Sequence, residues 1–560
     1  MDIQSVIKKL TGSGEFFEVT AAEDFERYPA IFKHAPGTLT EIIENARNHG
    51  DKEFLISGEK RITFADFFEQ VDCLRHAWHE RGLGKGDRLA IASRNNPEWL
   101  VAFTAGILMG AIVVPINSWG REAELRFALT DCDASWFVCD VERGCTVDDL
   151  FEEDHRFVIQ ESDEGLSCRG TPFNSLMKET KKSLPIDSAS PEDLCLIIYT
   201  SGSTGAPKGV VHGQCALAQA VFNMMFTGMV SMAVEGPRDL RGGAKQEKTL
   251  LTVPLFHGTG LLGSFILPLM TAQAVVFMRK WNAQEALRLI DAERITLFSS
   301  VPSLVKDLLS QPNLDHFDIG CLQRVSSGGA AMPADLPELI HTVLDRPSCS
   351  GGYGMTETLA VGSQASGAVF DARPKASGFR SPIMQMRCTN PEGEVLPEGE
   401  IGEIEMKGVT VTKGYWNKPE TSKEVFSTDG WFKSGDLGFL DAAGYLHVTG
   451  RIKDIVIRGG ENIFPGEVEQ ALYGLEGIVD CVVFGVPDER LGEELAAVIS
   501  VKREGGPTER TIREGLADVI AGYKVPKYLV VSSEPLLRGA TEKLDKLRIR
   551  EAFLRDRLAS

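Results

Sequence analysis

Between about residue 38 and residue 350, amphipathic helical patterns alternate with short, continuously apolar runs rich in Val and Ile. RLAIAS (88–93), AIVVPI (111–116), LCLIIYTS (194–201) and AVVFM (274–278) are examples. Strands apolar at every position fit burial on both faces, and their alternation with helices predicts stacked βαβ units with largely parallel sheets. Few other architectures accommodate that rhythm over three hundred residues. After about residue 375 the texture changes to Gly-punctuated short runs, GEVLPEGEIGEIEMKG, GWFKSGDLGFLD and GYLHVTG. These predict antiparallel sheet, a small barrel-like part closing the large domain. Beyond GRIKDIVIRGGENIFPGEVE come a helix from near Pro465, the strands DCVVFGVP and LAAVISVK, a helix from about 508 to 521, and YLVV. A compact α+β domain of roughly a hundred residues is expected there. The predicted division is residues 1–451, a junction at 452–454, and residues 455–560.

With 560 residues, 43% of them hydrophobic, the chain is long enough to bury a sizeable core without disulfides. A formal net charge of -20 argues against an extended nucleic-acid surface, although a local pocket for a phosphorylated ligand needs only a few cations. The eleven cysteines show no Cys-x-x-Cys pair and no zinc spacing, as expected in a reducing compartment. No secretory signal is evident at the N-terminus, and the C-terminal RLAS is not a peroxisomal tripeptide. The apolar stretches from Leu100 and from Leu261 contain Gly, Thr and Pro, and read as buried helices running into buried strands rather than membrane spans. A cytoplasmic location follows by elimination. Monomer and homodimer both stay open.

The most informative segment is Tyr199-Thr200-Ser201-Gly202-Ser203-Thr204-Gly205-Ala-Pro-Lys208-Gly209. It follows a buried strand and is expected to lead into a helix. Glycines let the backbone approach a phosphate closely, N–H and hydroxyl groups supply donors, and Lys208 adds a cation. Pro207 before the lysine and the glycine spacing exclude a Walker A loop. A flexible Ser/Gly linker is the bland alternative, but linkers rarely follow buried strands.

This run resembles the phosphate-loop signature of the adenylate-forming superfamily, which includes acyl- and aryl-CoA synthetases. Further family signatures follow in order. They are PLFHGTG (254–260), SSGGAAMP (326–333), GGYGMTET (351–358), GYWNKPETS (414–422), WFKSGDLG (431–438), GRIKDIVIRGGENIFPGEVE (450–469) and a degenerate lysine motif at 537–546. The resemblance implies an acyl-CoA synthetase: a carboxylic acid and ATP give acyl-AMP and pyrophosphate, and coenzyme A then gives acyl-CoA and AMP.

Residue roles carry over position by position. Glu357 resembles the family's magnesium ligand, with Thr356 beside it for phosphate contact; a hard cation bridging phosphates wants a carboxylate. Tyr353 offers a ring face to adenine. Gly328, Gly329, Ala330, Gly352 and Gly354 are small enough for the nucleotide to lie against backbone. Asp436 resembles the residue that takes both ribose hydroxyls, although a turn role in a Gly-rich hairpin competes. Arg451 is placed for ribose or phosphate. His257 corresponds to an aromatic gate at the acid site; a satisfied core histidine is its plain alternative. Rotation of the small domain between half-reactions implies Lys453 as hinge, Lys543 as the adenylation lysine, and Gly459 and Gly460 as the loop lining the pantetheine tunnel.

The lysine motif departs from the family: Leu537, Gly539 and Glu542 stand where Pro, Thr and Gly are usual, and Lys546 is a neighbouring alternative. The stretch LLTVPLFHGTGLLGSFILPLM implies an apolar tail, so a medium- or long-chain fatty acid is the expected substrate. An aryl acid, or a carrier protein as acceptor, stands as the alternative. No other partner is expected beyond acid, ATP with Mg2+, and coenzyme A.

Overall fold

The computed structural model describes residues 3–21, 29–160, 168–177, 184–186, 188–200, 207–236, 239–328, 332–333, 335–345, 347–503, 505–539 and 543–559. The apolar runs form the strands of two large sheets. Seven strands make one, in the order 208–213, 194–200, 112–115, 88–92, 136–140, 156–159, 171–172; the strands are parallel apart from the first pair. Nine make the other, whose six central strands (348–353, 324–327, 297–300, 248–251, 274–277 and 53–57) are mutually parallel. Parallel strands need crossovers, and the amphipathic stretches supply them as helices. Their starts carry local stop signals. Thr63 forms a reciprocal capping box with Asp66, and Asn96 caps Trp99 with Pro97 in the first turn.

Both stretches considered as membrane spans are helix-then-strand units: Pro97–Leu108 into Ile112–Pro115, and helical turns over 258–271 into Ala274–Phe277. A different helix, Gln214–Glu235, is long and apolar enough to cross a membrane, but it lies in the core. Its buried amides explain how. Gln219 exchanges two hydrogen bonds with the Phe32 backbone, Gln214 accepts from the Thr40 N–H, and Asn223 accepts from the Ser381 hydroxyl. The buried face of such a helix can carry polar side chains only where partners await them.

Two expectations are corrected. The Gly-rich stretch forms a four-stranded antiparallel meander (384–389, 402–408, 432–440, 446–451), with no closing strand pair among the described residues. Four strands are too few to close around a packed interior. The phosphate-loop segment joins two strands of a hairpin, Leu194–Thr200 and Lys208–Gly213, and the helix begins only after the second. Val210, Val211 and His212 are buried, so this second strand reads as apolar as the first.

Residues beyond 455 build a separate five-stranded sheet around the long hairpin Ile478–Asp488/Gly492–Val501, packed by helices Pro465–Tyr473 and Glu509–Ala517 on their own core of Val468, Leu472, Ile499 and Leu516. One turn of 3-10 helix, Ile452–Asp454, connects it to the meander.

Candidate functional site

A cleft of about 4530 Å³ runs between the large sheets, the meander and the C-terminal domain. Thr200, Lys208, His257, Gly328, Gly352, Tyr353, Gly354, Thr356, Glu357, Asp436, Arg451, Lys453 and Lys543 all line it. Single small-molecule sites occupy roughly 300–1,000 Å³, so this cleft has room for several ligands. Ser201, Gly202, Ser203, Thr204, Gly205, Gly329, Ala330 and Glu542 lie outside the described residues.

Three elements fix Glu357. It sits in a 3-10 turn, Thr356–Thr358, followed by Leu359 and Ala360 at φ 54° and 58°. Two successive non-glycine residues in the left-handed region are costly, and such strain persists only where the surroundings enforce it. His212, on the strand that begins at Lys208, hydrogen-bonds the Thr356 carbonyl at 2.8 Å. Thr412 donates its N–H to the Glu357 carbonyl at 2.7 Å, and the Tyr415 hydroxyl donates to Glu357 Oε1 at 3.0 Å. Burial raises the Glu357 carboxyl above its ordinary range, opposed by the Tyr415 hydroxyl and the Lys208 ammonium. That ammonium lies 5.0 Å from the Tyr415 ring centroid. A desolvated carboxylate near a lysine has the chemistry of a phosphate-bound hard cation's ligand. Tyr415 was not singled out in the sequence, though it stands in the GYW run that carries the resemblance.

The second group is Tyr353, Asp436 and Arg451. Asp436 is buried; its two oxygens accept from the Tyr353 hydroxyl at 2.9 Å and Arg451 Nε at 3.0 Å. Pairing of Asp436 opposite Arg451 in the meander sets this geometry. Burial raises the Asp436 carboxyl, and Arg451 opposes the rise. Each carboxylate oxygen keeps a further lone pair for a diol. Gly354 is obligatory, because a Cβ there would stand 2.4 Å from the Ala360 backbone.

His257 Nε2 is buried without a hydrogen-bond partner. Burial, with a smaller push from Lys543, holds the imidazole down at about 4, so it is neutral at physiological pH. Lys543 stays open to solvent at the edge of its loop yet reaches the cleft; desolvation by the cleft walls and then the Arg451 charge lower its ammonium. Lys546 instead pairs with Glu469 on its own domain, at 2.8 Å and 3.0 Å. Gly459 and Gly460 are not brought to the cleft. They form an exposed turn between strands Val456–Arg458 and Glu461–Ile463, at φ 60° and 92°. Their β-turn role is therefore the one this arrangement displays.

The model of the AMP-binding enzyme family matches residues 42–416, and that of the AMP-binding enzyme C-terminal domain matches residues 467–540. The chain belongs to the AMP-binding enzyme family. Within it, the family member is 35% identical to a feruloyl-CoA synthase of Amycolatopsis sp over 503 residues, 89% of this chain and 95% of that protein. It is 30% identical to a long-chain-fatty-acid–CoA ligase of Bacillus subtilis (strain 168), over 92% and 94% of the two chains. Its fold superimposes on ATP-bound MatB from Rhodopseudomonas palustris with a TM-score of 0.80 at 26% identity, covering 92% and 99%.

Proposed function

We propose that this AMP-binding enzyme is an acid–CoA ligase for elongated monocarboxylic acids bearing oxygen substituents, aryl acids foremost. The substrate carboxylate attacks the α-phosphorus of ATP and expels pyrophosphate. The coenzyme A thiol then attacks the acyl carbonyl and expels AMP. Glu357 would hold Mg2+, whose charge neutralises the phosphates. Lys208 and Lys543 supply cations to the phosphate and to the forming acyl-phosphate anhydride, and the Tyr353–Asp436–Arg451 group seats the nucleoside. Neutral His257 offers a hydrogen bond beside the acid without adding charge.

One observation carries the reading of the acid. Ser299, Ser326, Ser350 and Ser366 stand in register on four neighbouring strands, and all four line the cleft. Ser326 and Ser350 share a hydrogen bond, and Ser366 donates to the Thr227 carbonyl of the facing helix. Thr227 in turn donates to Gln364. These half-buried hydroxyls bond one another and the facing helix but keep further donor and acceptor capacity, which phenolic or methoxy oxygens can use and a saturated tail cannot. Met224, Leu267, Met278 and Leu297 line the same cleft and supply an apolar wall, which favours the fatty-acid reading as the second choice. The free, scattered cysteines support action in a reducing compartment such as the cytoplasm.

Pyrophosphate release measured over hydroxylated and methoxylated arylpropenoic acids, and over saturated fatty acids of matched length, tests the proposal. Ser326→Ala with Ser350→Ala should lower kcat/KM for the oxygenated acids and spare the saturated ones. Higher kcat/KM for saturated acids in the unaltered enzyme would overturn it. AMP formation that needs a carrier protein in place of coenzyme A would overturn the choice of acceptor.

A further inference from the structure

Away from the cleft, three side chains of different chemistry converge. His341 is on the helix Leu336–Val343, Cys349 is the second residue of the strand Ser348–Tyr353, and Asp371 ends the short helix Ala368–Asp371. One imidazole nitrogen, the thiol sulfur and one carboxylate oxygen all lie within 4.8 Å of one another. His341 Nε2 is 3.0 Å from Asp371 Oδ1 and 3.7 Å from Cys349 Sγ. None of the three lines the cleft.

We infer that His341, Cys349 and Asp371 form a zinc-type cation site. Tetrahedral Zn2+, with bonds of about 2.0–2.3 Å to nitrogen, oxygen and sulfur, holds its ligand atoms roughly 3.4–3.6 Å apart. The nitrogen–sulfur spacing of 3.7 Å is close to that value, the nitrogen–oxygen contact of 3.0 Å must open by a few tenths of an ångström, and the sulfur–oxygen contact, within 4.8 Å, must close by up to about an ångström. Burial is graded across the three ligands. Cys349 is 1% exposed, whereas the His341 and Asp371 side chains are 39% and 35% exposed, so the thiol forms the base and the fourth position faces water. Thiolate plus imidazole selects zinc over magnesium, which separates this site from the cation expected at Glu357.

Binding is balanced simply. The Cys349 thiol loses its proton to solvent, His341 binds through neutral Nε2, and the hydrogen bond between His341 and Asp371 gives way to two metal bonds. The ion would tie together two helices and the strand that continues to Gly351, Gly352 and Tyr353. A bound cation therefore stiffens the platform of the nucleotide end from behind, with water completing its coordination. A plain His–Asp ion pair over a buried cysteine makes no such prediction.

The test uses the full chain, freed of metal with a chelator and titrated with Zn2+ and Co2+. One equivalent of Zn2+ should bind tightly enough to compete with a chromogenic chelator and should raise Tm. Co2+ should give a thiolate-to-metal charge-transfer band. Cys349→Ser and His341→Ala should abolish both signals, and Asp371→Asn should weaken binding roughly tenfold or more, the least that groups supporting a metal cost. Cys145→Ser should leave both intact, since Cys145 is an exposed thiol, close to half-buried Cys168 and not part of the cluster. If Cys349→Ser does not fold, the exposed His341→Ala variant decides. No zinc equivalent, no cobalt band, or equal binding by wild type and His341→Ala would overturn the assignment.

Discussion

Replacing Tyr415 by Phe isolates one atom of the site. The ring is 8% exposed and packs under Lys208, and both features survive in phenylalanine. Only the hydroxyl that donates to Glu357 Oε1 at 3.0 Å is lost. A hydrogen bond to an ionised group contributes about 1.5–3 kcal/mol. Its loss should raise the already elevated Glu357 carboxyl further, because that hydrogen bond favours the ionised form. The sign follows from the need for the ionised form. A cation is held while Glu357 is charged, so activity falls as pH drops through its raised value, and the variant should lose activity at higher pH. Single-turnover pyrophosphate release across a pH series and a Mg2+ titration reads this directly. We expect roughly tenfold weaker apparent Mg2+ affinity near neutral pH, with the acid limb displaced upward and recovery at high Mg2+. An unchanged acid limb and unchanged Mg2+ dependence would refute the coupling of Tyr415 to Glu357.

Lys543→Ala should abolish adenylation while leaving conversion of supplied acyl-AMP and coenzyme A to thioester intact. Because desolvation and Arg451 lower its ammonium, adenylation by the wild type should fade below the ordinary lysine range as pH rises. Lys543→Arg should push that alkaline limb upward, and a limb that stays put would assign it elsewhere. Gly460→Ala meets open space but places a Cβ at φ 92°. It should cost about 1 kcal/mol in stability, read as a lower Tm, and slow thioester formation more than adenylation. Equal slowing would leave the turn with a purely structural role.

How much of this was legible in the residues depends on their range of action. The strand at 194–200 declares itself through seven consecutive residues, and Glu357, Asp436 and Arg451 sit in motifs whose chemistry is local. The strand 208–213 was hidden because the same KGVVHG run reads equally as the entry to the following helix. Pairing with Leu194–Thr200 decides between the two, and pairing is not a local property. Tyr415 and His212 act on the turn at 356–358 from elements far away in sequence, so nothing adjacent to them announces the contact. The serine row is the extreme case. Its members are separated by more than twenty residues or by a strand reversal, and only sheet register lines them up.

The helix Gln214–Glu235 has a consequence for how the chain is made. Its amide partners lie far off along the polypeptide: Phe32 is 187 residues before Gln219, and Ser381 is 158 residues after Asn223. At a ribosomal pace of about 5–20 residues per second, Asn223 waits roughly 8 to 32 seconds for Ser381 to emerge. Through that interval the helix can already meet the seven-stranded sheet, Phe32 and Thr40, but it lacks the strand Ser363–Ser366 and the hydroxyl of Ser381. Fragments that stop short of residue 381 are expected to leave the C-terminal half of this helix uncovered and to aggregate.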